Sequence, residues 1–129
     1  LSQLARLAYH IGRRRAIAAA YSIRLQGLKG LELPQVRTAR QSAWHLYATR
    51  VDADRRDAFR RRLDDFGIGS QVHYRLLWEH KRFRTFYKSC PVAEREAGRV
   101  VSIPLYPAMT DVIVSQVIHA VRKAAQEVL

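Results

Sequence analysis

The apolar spacing of the N-terminal segment constrains the fold more than any other feature. Leu4, Leu7, Ile11, Ala18, Tyr21, Leu25 and Leu28 recur at threes and fours, and Gly27, Gly30 and Pro34 follow as stop signals. This spacing predicts one helix over residues 2–28. Gly12 weakens such a helix by about 1 kcal/mol relative to Ala, and Arg13, Arg14 and Arg15 interrupt the apolar stripe at its middle. The helix would be about 40 Å long, whereas a compact domain of this chain length has a radius of gyration of about 14 Å. Its early turns are therefore expected to overhang, and Leu1, Leu4 and Leu7 call for an apolar partner outside the chain. That points to a fragment or to one side of an obligate interface. A start at Leu rather than Met agrees with a trimmed or partial chain.

Behind this helix the pattern alternates strands with helices. A short extended Leu31–Leu33 leads through a polar loop into Ser42–Val51, whose nearly continuous apolar character reads as a strand covered on both faces. Asp52 to Asp54 open a second helix with Ala58, Phe59, Leu63 and Phe66 as its buried stripe and Gly67 as its stop. Ile68–Tyr74 reads as a second strand, and residues 75–89, basic and aromatic without a clean period, as loop with some helix. Cys90 and Pro91 start a third helix running to about Val100, with Pro at the first helical position. Val101–Leu105 is a third strand, and Thr110 caps a last helix carrying Val114, Val117, Ile118, Val121 and Val128. About three strands covered by helices predict an α+β fold, an α/β two-layer sandwich.

At 129 residues, 48% hydrophobic and 26% charged, the chain can bury one core of its own. The lone Cys90 excludes an internal disulfide framework and suits a reducing, cytoplasmic setting. No apolar run reaches the roughly 18 residues of a membrane span. The net charge of +12 is uneven, since no acid precedes Glu32 while Arg6, Arg13, Arg14, Arg15 and Arg24 do. A basic, acid-free start occurs in mitochondrial transit peptides, but a helical pattern that runs on into the domain argues against one. Nucleic acid or another polyanion is the more serious alternative partner.

Gly67-Ile68-Gly69-Ser70-Gln71-Val72-His73-Tyr74 is the first candidate for chemistry. Its glycines allow a tight helix-to-strand turn, after which His73 and Tyr74 present a polar, aromatic pair. The residues alone leave open a buried strand that ends in His and Tyr. His10, His45, His73, His80 and His119 match no ligand spacing, so a zinc site is not expected. Cys90 sits at a helix N-terminus, where a thiol pKa can fall, but no evident base accompanies it and it reads as structural. Arg55, Arg56, Arg60, Arg61 and Arg62 lie among Asp52, Asp54, Asp57, Asp64 and Asp65 and read as a solvated face with salt-bridge spacing. Arg75, Lys81, Arg82, Arg84 and Lys88 interleave with Trp78, Phe83, Phe86 and Tyr87, a pattern that suits bases and phosphates or a nucleotide-sugar diphosphate equally.

Four segments in order, Ser42–Arg50 (SAWHLYATR), Gly67–Tyr74 (GIGSQVHY), Cys90–Glu96 (CPVAERE) and Ser102–Asp111 (SIPLYPAMTD), resemble the C-terminal part of the DegT/StrS family of pyridoxal-phosphate-dependent sugar aminotransferases. Arg14, Arg15 and Tyr21 stand in the family's ArgArg…Tyr spacing. The resemblance implies the small C-terminal domain of a fold type I enzyme, with residues 1–30 as the helix linking to a large domain absent from the chain and 31–129 as the small domain. It implies transfer of an amino group from glutamate to a nucleotide-linked keto-sugar, in amino-sugar and polysaccharide biosynthesis, by a cytoplasmic homodimer. His73, Tyr74 and Arg75 are then substrate contacts, an imidazole and a phenol suiting sugar hydroxyls and a guanidinium suiting a diphosphate. Lys29, Lys81, Lys88 and Lys123 lack the context of the family's Schiff-base lysine, so the isolated chain is expected to be inactive and to bind no pyridoxal phosphate covalently. Departures at Tyr9 and His10, and a short basic segment between Tyr74 and Cys90, bear on substrate rather than fold. The alternatives are a stand-alone basic α+β module binding nucleic acid or another polyanion, and a non-catalytic dimerisation remnant.

Overall fold

A computed structural model describes residues 2–129. The N-terminal pattern forms two helices rather than the single one expected, α1 (Ser2–Ala5) and α2 (Leu7–Leu25). Arg6 between them sits at φ −100° and ψ 0°, a sparsely populated bridge conformation rather than helix. Gly12 and Arg13 to Arg15, where the stripe is interrupted, lie inside α2. The helix also ends earlier than expected, because Gln26 turns to ψ 140° and Gly27 takes φ +76°, a left-handed conformation that glycine adopts without a Cβ clash. Burial on α2 begins at Ile17 and continues through Ala18, Tyr21 and Leu25. Leu4, Leu7 and Tyr9 are exposed, so the early turns do carry apolar side chains without cover.

The arginine run that interrupts the apolar stripe ties loops to α2. Arg13 donates to the Met109 carbonyl at 2.5 Å and pairs with Asp111 at 2.8 Å. Arg14 donates to the carbonyls of Trp44 and His45 at 3.2 and 3.0 Å, and Arg15 to that of Ser42 at 3.0 Å. Backbone oxygens in those loops thereby gain charge-assisted partners.

β1 (Tyr47–Arg50) and β2 (Val100–Ile103) pair antiparallel, with Tyr47 opposite Ile103 and Thr49 opposite Val101. Single bridges extend the pair on either side, Glu32 to Arg50 and Gln71 to Ser102. Two strands and two bridges thus replace the three strands expected. Ile68–Tyr74 touches the sheet only at Gln71, which exchanges N–H···O bonds of 3.1 and 2.8 Å with Ser102. In an antiparallel ladder the next such exchange falls two residues away. On one side it would need an N–H from Pro104, which has none. On the other it would need the N–H of Val100, which donates to the Glu96 carbonyl at the end of the helix before β2.

β1 is also not covered equally on both faces. Tyr47 and Thr49 are buried while Ala48 and Arg50 are half-buried. The Tyr47, Val101 and Ile103 side joins one core with Tyr21 and Leu25 of α2, Phe59 and Leu63 of α3 (Arg56–Asp65), and Val117, Ile118 and Val121 of α5 (Asp111–Val128). Within it the Tyr21 and Tyr47 rings meet edge to face at 5.1 Å, and Trp44 stacks on Tyr47 at 5.4 Å.

The remaining elements follow their local signals. α4 (Pro91–Arg99) begins with the proline in its first turn, and Thr110 caps α5 by accepting the Ile113 N–H at 3.3 Å. Residues 75–89 hold two short 3₁₀ helices, Leu77–Glu79 and Lys81–Phe86. Their basic residues are exposed, and Trp78 meets Tyr87 edge to face at 5.3 Å. Among the described residues no helix is long and apolar enough to cross a membrane.

Candidate functional site

The end of α3 sets up the site. Gly67, at φ +72°, donates its N–H to the Asp64 carbonyl at 2.8 Å, and Ile68 donates to that of Leu63 at 2.9 Å. This pair of bonds is the Schellman motif, with glycine at the left-handed position and apolar residues on both sides of it. It turns the chain out of α3 to run beside β2 at the edge of the sheet. There the exchange between Gln71 and Ser102 fixes the segment that carries His73.

A cleft of about 330 Å³ opens between this segment and the end of β2, lined by Leu46, Ser70, His73, Ser102, Pro104 and Leu105 among others. Two of these residues each carry a buried polar atom that stands out. His73 Nδ1 and Ser102 Oγ are buried, and neither has a hydrogen-bond partner among the described residues. An unpaired buried polar group is costly, about 1–3 kcal/mol, and both atoms can accept a hydrogen bond from an ordered water or a bound polar molecule. The His73 ring also packs edge to face on Tyr74 at 5.0 Å.

The structure keeps the His73 and Tyr74 rings in contact and puts Arg75 in another cleft. His73 lines the cleft at β2, and Tyr74 is 72% exposed. Arg75 lines a different cleft of about 430 Å³, with Arg56 and Arg60 of α3. Ser102, Arg56 and Arg60 are polar residues whose place in these clefts was not read from the chain. The i, i+4 spacing of Arg56 and Arg60 does put both on one side of α3, and it was the available signal.

Other groups have structural partners. The Tyr21 hydroxyl donates to the Pro104 carbonyl at 2.7 Å, and burial, then the nearby Tyr106 and Tyr47, pushes its pKa well above the usual tyrosine value. Burial likewise raises that of Tyr47, opposed by its hydrogen bond with Ser22. Cys90 is an exposed thiol whose backbone N–H donates to Glu94 at 3.0 Å. Among the described residues no group of three or more His, Cys, Asp or Glu side chains could hold a metal ion.

A small α+β unit with two antiparallel strands and packed helices matches a fragment of aminotransferase folds. The chain belongs to the DegT/DnrJ/EryC1/StrS aminotransferase family, whose model matches residues 1–122. It is 38% identical over 123 residues to the uncharacterized protein MJ1066 of Methanocaldococcus jannaschii, a match covering 89% of this chain and 32% of that protein. Among solved structures, DesV of S. venezuelae in complex with a ketimine intermediate superposes with a TM-score of 0.89 at 35% identity, over 98% of this chain and 34% of DesV. The sugar aminotransferase CalS13 of Micromonospora echinospora superposes with a TM-score of 0.85 at 32% identity, over 95% of this chain and 33% of CalS13. The chain therefore spans about one third of the length of these relatives.

Proposed function

We propose that this chain is the small C-terminal domain of a pyridoxal-phosphate-dependent sugar aminotransferase, with residues 1–30 linking to the large domain and 31–129 forming the substrate-side wall. The observation that carries this reading is the pair of residues His73 and Ser102, each with a buried polar atom that lacks a partner among the described residues, lining one cleft of a chain that belongs to an aminotransferase family. A keto-sugar offers hydroxyl and carbonyl groups that complement an imidazole and an alcohol. Tyr74 and Arg75 are the accompanying contacts, Tyr74 for the sugar and Arg75 for the diphosphate of a nucleotide-linked substrate.

The residues present do not fit a covalent pyridoxal phosphate site. Lys29, Lys81, Lys88 and Lys123 are all exposed, whereas a Schiff-base lysine needs a desolvated or electropositive pocket to be reactive at neutral pH. No chemical step is therefore assigned to this chain. Its role is to bind and orient the substrate and to exclude water beside a lysine supplied by the large domain. Exposed Leu4 and Leu7 suit packing against that domain or a second subunit, in a cytoplasmic homodimer.

The test is to express the complete reading frame that encodes Leu1–Leu129 and assay amino transfer from glutamate to nucleotide-linked keto-sugars. Transfer that depends on pyridoxal phosphate, with KM raised by His73→Ala, is expected. A reading frame lacking a lysine-bearing large domain, or no transfer to any keto-sugar nucleotide, would overturn the proposal.

A further inference from the structure

The arginines in and next to α3 differ in their partners. Arg55 pairs with Asp54, and Arg62 pairs with Asp65 and Glu127, so both meet carboxylates. Arg60 instead donates to the Ser70 carbonyl at 3.2 Å and the Ser70 hydroxyl at 3.4 Å. Arg56 donates to the Ala97 carbonyl at 2.9 Å and to Asp57 at 3.0 Å. The carbonyl and hydroxyl partners of Arg60 hold its guanidinium in place without cancelling its charge, whereas the Asp57 carboxylate offsets part of that of Arg56. Each guanidinium has five N–H donors, and these contacts leave several free on both side chains.

The anchored pair faces Arg75, for which no hydrogen bond or ion pair exists among the described residues. In the cleft of about 430 Å³ they share, three arginines meet one carboxylate, Glu79. An adjoining cleft of about 470 Å³ shares the same three arginines and adds Arg61 with Asp57 and Asp64. Asp57 is already engaged by Arg56, which holds its carboxyl below the usual range. Both clefts thus keep an excess of positive charge around the same three arginines, and the volume of the first falls within the roughly 300–1,000 Å³ of small-molecule sites.

We propose that Arg56, Arg60 and Arg75 form a binding site for a phosphoryl anion carrying more than one negative charge, diphosphate being the best match. Planar guanidiniums pair with phosphate oxygens two bonds at a time, and two of the three are already positioned by the fold. The proposal rests on the aminotransferase reading only for the rest of the ligand. If the anion is the diphosphate of a nucleotide-linked sugar, Arg56 and Arg60 join Arg75 as substrate contacts. The arginine site itself follows from their arrangement.

Calorimetric titration of the 129-residue chain with inorganic diphosphate, UDP and sulfate at low salt tests it. Diphosphate should bind saturably at one site, about tenfold or more tighter than sulfate, and weaken as salt rises. Arg75→Ala, which removes no hydrogen bond or ion pair seen among the described residues, should weaken diphosphate about tenfold or more. Arg60→Lys keeps the charge but loses the fork, and should weaken it by a smaller factor with circular dichroism unchanged. UDP binding tighter than diphosphate would assign the site to a nucleoside diphosphate, and equal binding to a free phosphoryl anion; both support it. Absence of saturable binding, sulfate equal to diphosphate, or affinity unchanged in Arg75→Ala would each overturn it. Failed titrations would leave the transamination assay untouched, while failed transamination beside intact diphosphate binding would remove the aminotransferase reading alone.

Discussion

The hydroxyl of Tyr21 donates a 2.7 Å hydrogen bond to the carbonyl of Pro104, a residue 83 positions further along the chain. Tyr21 is fully buried in α2, and Pro104 follows β2 and lines the His73 cleft. One bond therefore joins the N-terminal helix to the wall of the candidate substrate site.

Tyr21→Phe keeps the ring against Tyr47 but leaves the Pro104 oxygen without that donor. It should lower unfolding free energy by about 1–3 kcal/mol, read from urea denaturation, and should change ligand affinity at the His73 cleft more than Tyr47→Phe does.

Stability should also fall in alkali in a way that the same variant reports. Burial places the folded-state pKa of Tyr21 above its ordinary value near 10. Its contribution is then whole below about pH 10 and is lost as pH rises beyond it. Tyr21→Phe should flatten the alkaline limb of the stability curve, leaving the part due to Tyr47, which is shifted the same way. On the acid side, the Arg95 hydrogen bond lowers Glu96 and the Arg62 hydrogen bond lowers Glu127 from an ordinary value of 4.5. Their contributions are present above that value and fade as pH falls below it.

Two glycines make opposite predictions from one cause. Neither Gly12 nor Gly67 has an atom within 4 Å of an added Cβ, but Gly67 sits at φ +72° while Gly12 lies within α2. Gly67→Ala should cost about 1–2 kcal/mol of backbone strain, and Gly12→Ala should add about 1 kcal/mol of helix stability. Thermal unfolding of the two variants checks both signs.

Ser102→Ala separates stability from binding. The hydroxyl is buried without a partner, so its removal should raise stability by about 1 kcal/mol or more while weakening a polar ligand in the His73 cleft. A loss of stability in this variant would show that the hydroxyl is satisfied after all.

At α5, Thr110→Ala should cost about 1 kcal/mol and Thr110→Ser much less, because the oxygen that accepts the Ile113 N–H is all the cap requires. Chemical denaturation distinguishes the two.

Every helix end that was legible in the chain has its cause within a few residues. Gly67 stops α3, Pro91 opens α4 and Thr110 caps α5, because a turn or cap is satisfied by groups one turn away. The order of the family's segments was legible for the same reason, each being a short local run. What the chain could not declare were contacts between distant residues. Ile68–Tyr74 has the composition of a strand, yet Pro104 lacks the N–H and Val100 has spent its own on Glu96, so only Gln71 pairs. Arg13 to Arg15 read as a break in an apolar stripe until the carbonyls of Ser42, Trp44, His45 and Met109 came within reach. Likewise Arg56 and Arg60 read as a solvated face until Ser70, Ala97 and Arg75 closed around them. By itself the sequence determined the family, the stop of α3, the starts of α4 and α5, and the exposed apolar beginning. Only the tertiary structure decided which backbone donors remained free to pair and which polar side chains were left without partners, because both depend on groups far apart in the chain.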